Sequence, residues 1–266
     1  MGVSTLLIVG AGIMGLSTAV AAKKKYPAST IHLVDFKSPI PPASSDSSRI
    51  VRAAYASEAY RALSQEALVM WETDPLYKSF FHKTGWTVVQ KGEAMSIPAG
   101  ATKVPTERFR EMWPRAKLDG DETITEDEDL GWAEAKNAID AILDHTKSIG
   151  VIYHDIEVSG LHYADSEQRV CTGVEFKNGN LLKGSVLLAM GHSTLHFLQL
   201  CGKPVDAGVV QIAGVSVMEV KLNEEQYQMY KDNGILLFPG KGALHFVSQI
   251  WLFSNTTRRD SSTTQR

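Results

Sequence analysis

Within the first 35 residues the apolar positions change period twice. Thr5-Leu6-Leu7-Ile8-Val9 is an unbroken apolar run with branched side chains, the pattern of a strand covered on both faces. Leu16 to Ala22 is a run of mostly small residues that predicts a closely packed helix, closed by Lys23, Lys24 and Lys25, where cations complement the helix dipole. Thr30 to Asp35 predicts a second strand ending in an acid. Between the first strand and the helix lies Gly10-Ala11-Gly12-Ile13-Met14-Gly15, a G-x-G-x-x-G. Strand, glycines, helix, strand and acid in this order predict a dinucleotide-binding βαβ unit.

Each position has a physical reason. Gly10 permits the tight turn out of the strand, Gly12 lets a pyrophosphate approach the backbone, and Gly15 lets helix and strand pack closely. The helix N-terminus offers N–H groups and partial positive charge to phosphates. Asp35 can accept hydrogen bonds from a ribose diol and repels a 2′-phosphate, so FAD or NAD is favoured over NADP. The plainer alternative is a helix that merely packs tightly on a strand.

Further along, residues 39–48 form a Pro/Ser-rich loop. Apolar residues at Tyr60, Leu63, Ala67, Leu68 and Trp71 predict a helix from about Ser57 to Trp71, and Gly85 to Gln90 predicts a strand. The acidic run from Asp119 to Asp129 is expected to be a solvated surface loop, and Asn137 to Ser148 a helix ending at Gly150. The pattern then becomes β-like: residues 151–153, Val170 to Phe176, a turn at Asn178-Gly179, and Ser185 to Gly191. An apolar strand ending in Gly191 suits a return to the parallel sheet, with Gly191 crossing a bound cofactor. Residues 205–220 predict more strand and Glu224 to Asp232 a short helix. The expected fold is therefore α/β: a doubly wound parallel sheet with a discontinuous second α+β domain. The sheet domain takes residues 1–60 and 137–200, the second domain 61–136 and 201–250, and residues 251–266 a polar, disordered tail.

Composition narrows the partners. The 266 residues are 44% apolar with net charge −3, which suggests neither nucleic-acid binding nor a membrane surface. No apolar stretch approaches the roughly 20 residues of a membrane span. No secretory or peroxisomal signal is visible, so a cytoplasmic location is expected. Cys171 and Cys201 are expected to be reduced and mostly buried. His192 and His196 are four apart but lack a third ligand, so no metal is expected.

Several segments together resemble the sarcosine oxidase family of the D-amino-acid oxidase superfamily. They are Gly10 to Gly15, the S-S-D-S-S-R-I-V-R-A-A-Y stretch at 44–55, H-K-T-G-W-T-V-V at 82–89 and V-L-L-A-M-G at 186–191. W-E-T-D-P-L-Y-K-S-F-F-H at 71–82 is most similar to the fungal branch, which includes fructosyl amino acid and saccharopine oxidases. The resemblance implies FAD and oxidation of the C–N bond of an N-substituted amino acid, with hydride passing to the flavin and then dioxygen yielding hydrogen peroxide. It places Gly10, Gly12, Ile13, Met14 and Gly15 on the pyrophosphate loop and Asp35 on the adenosine ribose. Ser44, Ser48 and Arg49 fall on the stretch passing the flavin, and Val158 on a strand contacting the adenosine part. Arg52 falls on the arginine that grips the substrate carboxylate, and His245 where the family keeps a lysine that helps activate dioxygen. The family's chain continues past residue 266, so a C-terminally truncated member is expected. Independently of the family, Arg49 and Arg52 are three apart and would share a face on a helical turn, with guanidinium forks suited to a carboxylate. Two other readings stay open: a truncated fragment without catalysis, and an NAD-dependent dehydrogenase.

Overall fold

The structure is a computed structural model that describes residues 4–36, 43–46, 48–55, 57–91, 100–165, 167, 169–206, 208–210, 212, 214–239, 242–247 and 250–257. Part of the Pro/Ser-rich loop, including Pro39 and Pro41, lies outside them, as do residues 258–266. The chain divides into two units, Met1–Ser47 with Glu134–Ile212, and Ser48–Ala133 with Ala213–Arg266.

The first unit is built on a parallel sheet. Thr5–Val9 lies between Ser185–Leu188 and Thr30–Asp35, and Thr30–Asp35 pairs on its other edge with Ile152–Asp155. The apolar runs fill both faces of this sheet, as a covered parallel sheet requires. On one face Leu7, Val9 and Val34 pack with Val158, Val174 and Phe176 from a three-stranded antiparallel sheet, and with Phe197 from the helix Ser193–Leu200. Ile8, Ile31 and Leu33 alternate with them and are fully buried on the other face, together with Leu16 of the helix Ile13–Lys25 and Ile142 of Ala135–Ser148. Burying each such aliphatic side chain contributes on the order of 1.5–3 kcal/mol. Lys23, in the last turn of the first helix, donates to the carbonyls of Pro27 and Ser29, tying its end to the turn into the next strand.

The second unit has a seven-stranded sheet. Trp86–Lys91 is an interior strand of it, parallel to the central Ile235–Phe238 and antiparallel to Glu122–Asp127. Leu236 and Phe238 face one side with Val89, Phe109, Trp113, Ile124 and Tyr230. Ile235 and Leu237 face the other with Trp86, Val88, Leu130 and Trp132.

Four expectations need correction. The acidic run is not all loop: Glu122–Asp127 is a strand whose adjacent Ile124 and Thr125 are buried, a short signal that the acids on either side hid. Residues 48–60 were expected in the sheet domain but belong to the second unit, because Arg49–Val51 pairs with Gly131–Ala133, and residues 201–212, expected in the second domain, belong to the first unit. The tail was expected to be disordered from 251, yet Ile250–Thr257 forms a strand between Gly214–Lys221 and Gly242–Val247. Its Ile250-Trp251-Leu252-Phe253 is a short unbroken apolar run of the strand type, which its polar end outweighed. Cys171 and Cys201 are half-buried rather than mostly buried. Both are free thiols, and burial raises the Cys201 pKa above its ordinary value, so the neutral thiol is favoured.

Candidate functional site

In the first unit the predicted cofactor residues converge at the carboxyl end of the parallel sheet. Thr5–Val9 has the next strand of the chain, Thr30–Asp35, on one side and the much later Ser185–Leu188 on the other, so its end is a topological switch point, where open α/β sheets bind ligands. The turn there is fixed by Gly10, whose N–H donates to the Val34 carbonyl (2.8 Å) and whose φ is +109°. A Cβ on Gly10 would lie 2.4 Å from the Ala189 carbonyl oxygen, and one on Gly15 only 1.8 Å from that of Gly10. Both glycines are therefore dictated by close backbone approach.

Asp35 reaches back to this turn. Its Oδ2 accepts the Ala11 N–H at 2.6 Å and its Oδ1 accepts the Phe36 N–H at 2.7 Å. The carboxylate is thereby oriented, and its remaining lone pairs can take a diol. Ser44 joins the same cluster: its Oγ accepts the Ile13 N–H at 3.2 Å and would stand 3.1 Å from a Cβ on Gly12. It thus caps one N–H at the start of the helix Ile13–Lys25, a role the sequence did not suggest. Met14 is largely exposed in the helix's first turn, and Gly191 (φ +57°) follows the strand that ends at Leu188. The space that Gly12 leaves open, the helix N-terminus and an oriented carboxylate fit the two phosphates and ribose of FAD. Val158 is buried in the apolar cluster beneath, at a register shift in its strand.

The second unit holds the other predicted residues. Arg49 and Arg52 do not share a helical turn. Arg49 opens the strand Arg49–Val51 and Arg52 follows it in non-helical chain, because that strand is recruited by Gly131–Ala133. Ser48 is buried, and its carbonyl accepts from Arg49 Nη1 at 3.4 Å. The Arg52 guanidinium is half-buried against two aromatic rings, its carbon 4.5 Å from the Tyr55 centroid and 5.5 Å from that of Trp86. Its Nη1 donates to the Ala54 carbonyl at 3.1 Å, and among the described residues no carboxylate pairs with it. Sequence reasoning missed Tyr55 and Trp86 as its neighbours; only the fold brings Trp86 there. His245 lies in the strand Gly242–Val247, in register with Leu252.

A second missed pair is His32 and His154, on neighbouring strands of the parallel sheet. Their Nδ1 and Nε2 atoms are 2.8 Å apart. Burial, and then the nearby His154, lowers the His32 pKa, and burial lowers that of His154. Among the described residues no group of three or more His, Cys, Asp or Glu could hold a metal, and no helix is long and apolar enough to cross a membrane.

Comparison with known proteins agrees with this geometry. The chain is 23% identical to the L-saccharopine oxidase of Schizosaccharomyces pombe over 280 residues, covering 88% of this chain and 60% of that protein. Among solved structures it is similar to the fructosyl peptide oxidase of E. terrenum, with a TM-score of 0.79 and 20% identity, covering 96% of this chain and 63% of that one. It is also similar to a modified fructosyl peptide oxidase from Aspergillus nidulans, with a TM-score of 0.78 and 23% identity, covering 96% and 64%. The chain thus spans less than two thirds of the length of these relatives. Residues 5–258 match the model of the DAO family, described as FAD dependent oxidoreductase. With that match over nearly its whole length, and a glycine turn and carboxylate built for a dinucleotide, this chain belongs to the DAO family of FAD-dependent oxidoreductases.

Proposed function

We propose that this protein oxidises the C–N bond of an N-substituted amino acid of the sarcosine, fructosyl amino acid or saccharopine type. The observation that carries this reading is the Arg52 guanidinium: half-buried, stacked on Tyr55 and Trp86, and paired with no carboxylate among the described residues. A cation held over aromatic rings has its position restricted, and the planar guanidinium fork matches a carboxylate. Holding the carboxylate fixes which C–H of the substrate points forward, and misplacement by about 1 Å can cost on the order of 100-fold in rate. The family match and the similarity to a saccharopine oxidase support an amino-acid substrate.

FAD, when bound, supplies the two-electron acceptor that dioxygen re-oxidises to give hydrogen peroxide. Gly10, Gly12, Gly15 and the start of the helix Ile13–Lys25 would hold its phosphates, and Asp35 its ribose. Arg49 adds positive charge where negative charge develops, the usual electrostatic route to a lower barrier. His245 is assigned to the dioxygen step, where an imidazole is charged only part of the time near neutral pH.

The test is peroxide release by the FAD-reconstituted protein across N-methyl, N-fructosyl and other N-substituted amino acids. Turnover of at least one, exceeding that of its unsubstituted parent, is expected. Flavin binding with no reduction by any of them would favour a second reading, an FAD-binding chain without catalysis, which the partial coverage of the relatives supports.

A further inference from the structure

The two strands that meet at the cofactor turn send their chains to opposite faces of the parallel sheet. After Thr5–Val9 the chain enters the helix Ile13–Lys25 on the face of Ile8, where a Cβ on Gly15 would lie 3.4 Å from the Ile8 side chain. After Ser185–Leu188 it enters the helix Ser193–Leu200, whose Phe197 packs with Leu7 and Val9 on the other face. Adjacent parallel strands whose connections leave to opposite faces open a crevice at their carboxyl ends, and ligands of such sheets lie in it. Gly10 to Ile13 form one wall of this crevice, and Ala189 to Ser193 form the other.

The second wall is held against the first. The Ala189 N–H donates to the Val9 carbonyl at 2.7 Å, and a Cβ on Gly10 would lie 3.0 Å from the Met190 nitrogen. A tight turn follows at once, in which the Met190 carbonyl accepts the Ser193 N–H at 3.1 Å. Gly191 and His192 form its tip. His192 is thus two residues, no more than about 7 Å of chain, from backbone that touches the glycine turn. Its side chain is exposed, does not cap its own helix, and makes no hydrogen bond, ion pair or ring contact with any described residue. A Cβ on Gly191 would meet nothing within 4 Å, so the space beside the tip is open. An imidazole offers an N–H donor whether neutral or protonated, and a phosphate oxygen is a charged acceptor for it.

We propose that His192 donates a hydrogen bond to the pyrophosphate of bound FAD, from the wall of the crevice opposite the glycine turn. The contact requires the cofactor of this family and is independent of which amine is oxidised.

The experiment is titration of the full, FAD-free chain with FAD, followed by flavin fluorescence, and calorimetric titration with ADP, which carries two phosphates, and with adenosine, which carries none. His192→Ala should weaken FAD and ADP by about 10-fold each, as loss of one charge-assisted hydrogen bond near solvent would give, and leave adenosine unchanged. His192→Arg, which restores a donor to phosphate, should regain most of the FAD affinity. Asp35→Ala, which removes the carboxylate assigned to the ribose, should weaken all three probes. If Asp35→Ala weakens FAD and His192→Ala does not, the His192 contact is overturned and the cofactor site stands. Equal losses for adenosine and ADP in His192→Ala would also overturn it, since the histidine would then act without the phosphates. No binding of FAD by the wild type would overturn the contact and the cofactor site together.

Discussion

The Arg52 guanidinium carbon lies 5.5 Å from the ring centroid of Trp86, so a cation from the chain just after Arg49–Val51 rests on an interior strand of the second unit's large sheet. Tyr55 approaches the same group at 4.5 Å. If these rings set the plane of the guanidinium, Trp86→Phe should keep most of the affinity for substrate, while Trp86→Leu should raise KM by more than it lowers kcat. A cation–π contact contributes about 0.5–2 kcal/mol, so the KM change should be roughly 2- to 30-fold. Steady-state kinetics of the two variants, compared at equal folded fraction, checks this. Identical KM values for the two would remove the rings' positioning role.

Asp35 should matter to the cofactor more than to the fold. Asp35→Ala removes the acceptor for the Ala11 N–H, as well as a partner for a ribose. Loss of a charged hydrogen bond costs about 1.5–3 kcal/mol, so FAD should bind roughly 10- to 150-fold more weakly. Titration followed by flavin fluorescence reads the change directly, and the far-ultraviolet circular dichroism spectrum should stay the same.

Gly15→Ala should do the reverse and damage folding. Its Cβ would meet the Gly10 carbonyl oxygen at 1.8 Å, which the helix can relieve only by leaving the sheet. Overpacking of this kind costs about 1–3 kcal/mol or more. The denaturation midpoint should fall even without FAD, whereas the Asp35→Ala midpoint without FAD should change much less.

Acid should weaken the first unit through His32 and His154. Both imidazoles are harder to protonate in the folded chain than their ordinary value of 6.5. Between those folded values and 6.5 the unfolded chain binds more protons, so stability is complete above about pH 6.5 and is lost as pH falls below it. One neutral ring can donate to the other across the 2.8 Å contact, and two cations cannot. Thermal midpoints measured from pH 8 to pH 5 should fall less steeply in His154→Gln than in wild type.

The sequence made the first unit's site legible because it is local. Glycines, helix and acid lie within residues 10–35, and each answers to a backbone constraint that a reader can name. The second unit was harder. Its central strand Ile235–Phe238 pairs with Trp86–Lys91, nearly 150 residues away, and Arg49–Val51 pairs with Gly131–Ala133. Such pairing overrode the local expectation of a helical turn carrying both arginines. The strand Glu122–Asp127 was masked by acids that flank its buried Ile124 and Thr125, and the contact between His32 and His154 has no signature in either segment.

The central claim is that Arg52 anchors the carboxylate of an N-substituted amino acid during its oxidation. Its most direct test is anaerobic flavin reduction, followed as bleaching of the visible flavin band, in wild type, Arg52→Lys and Arg52→Ala at sub-saturating substrate. Excluding dioxygen leaves His245 out of the measurement. Removing one partner of a buried charged pair costs on the order of 2–5 kcal/mol, so Arg52→Ala should reduce roughly 30- to 5000-fold more slowly. Arg52→Lys should recover only part of that loss, since an ammonium keeps the charge and loses the fork. Reduction of Arg52→Ala at the wild-type rate would contradict the account.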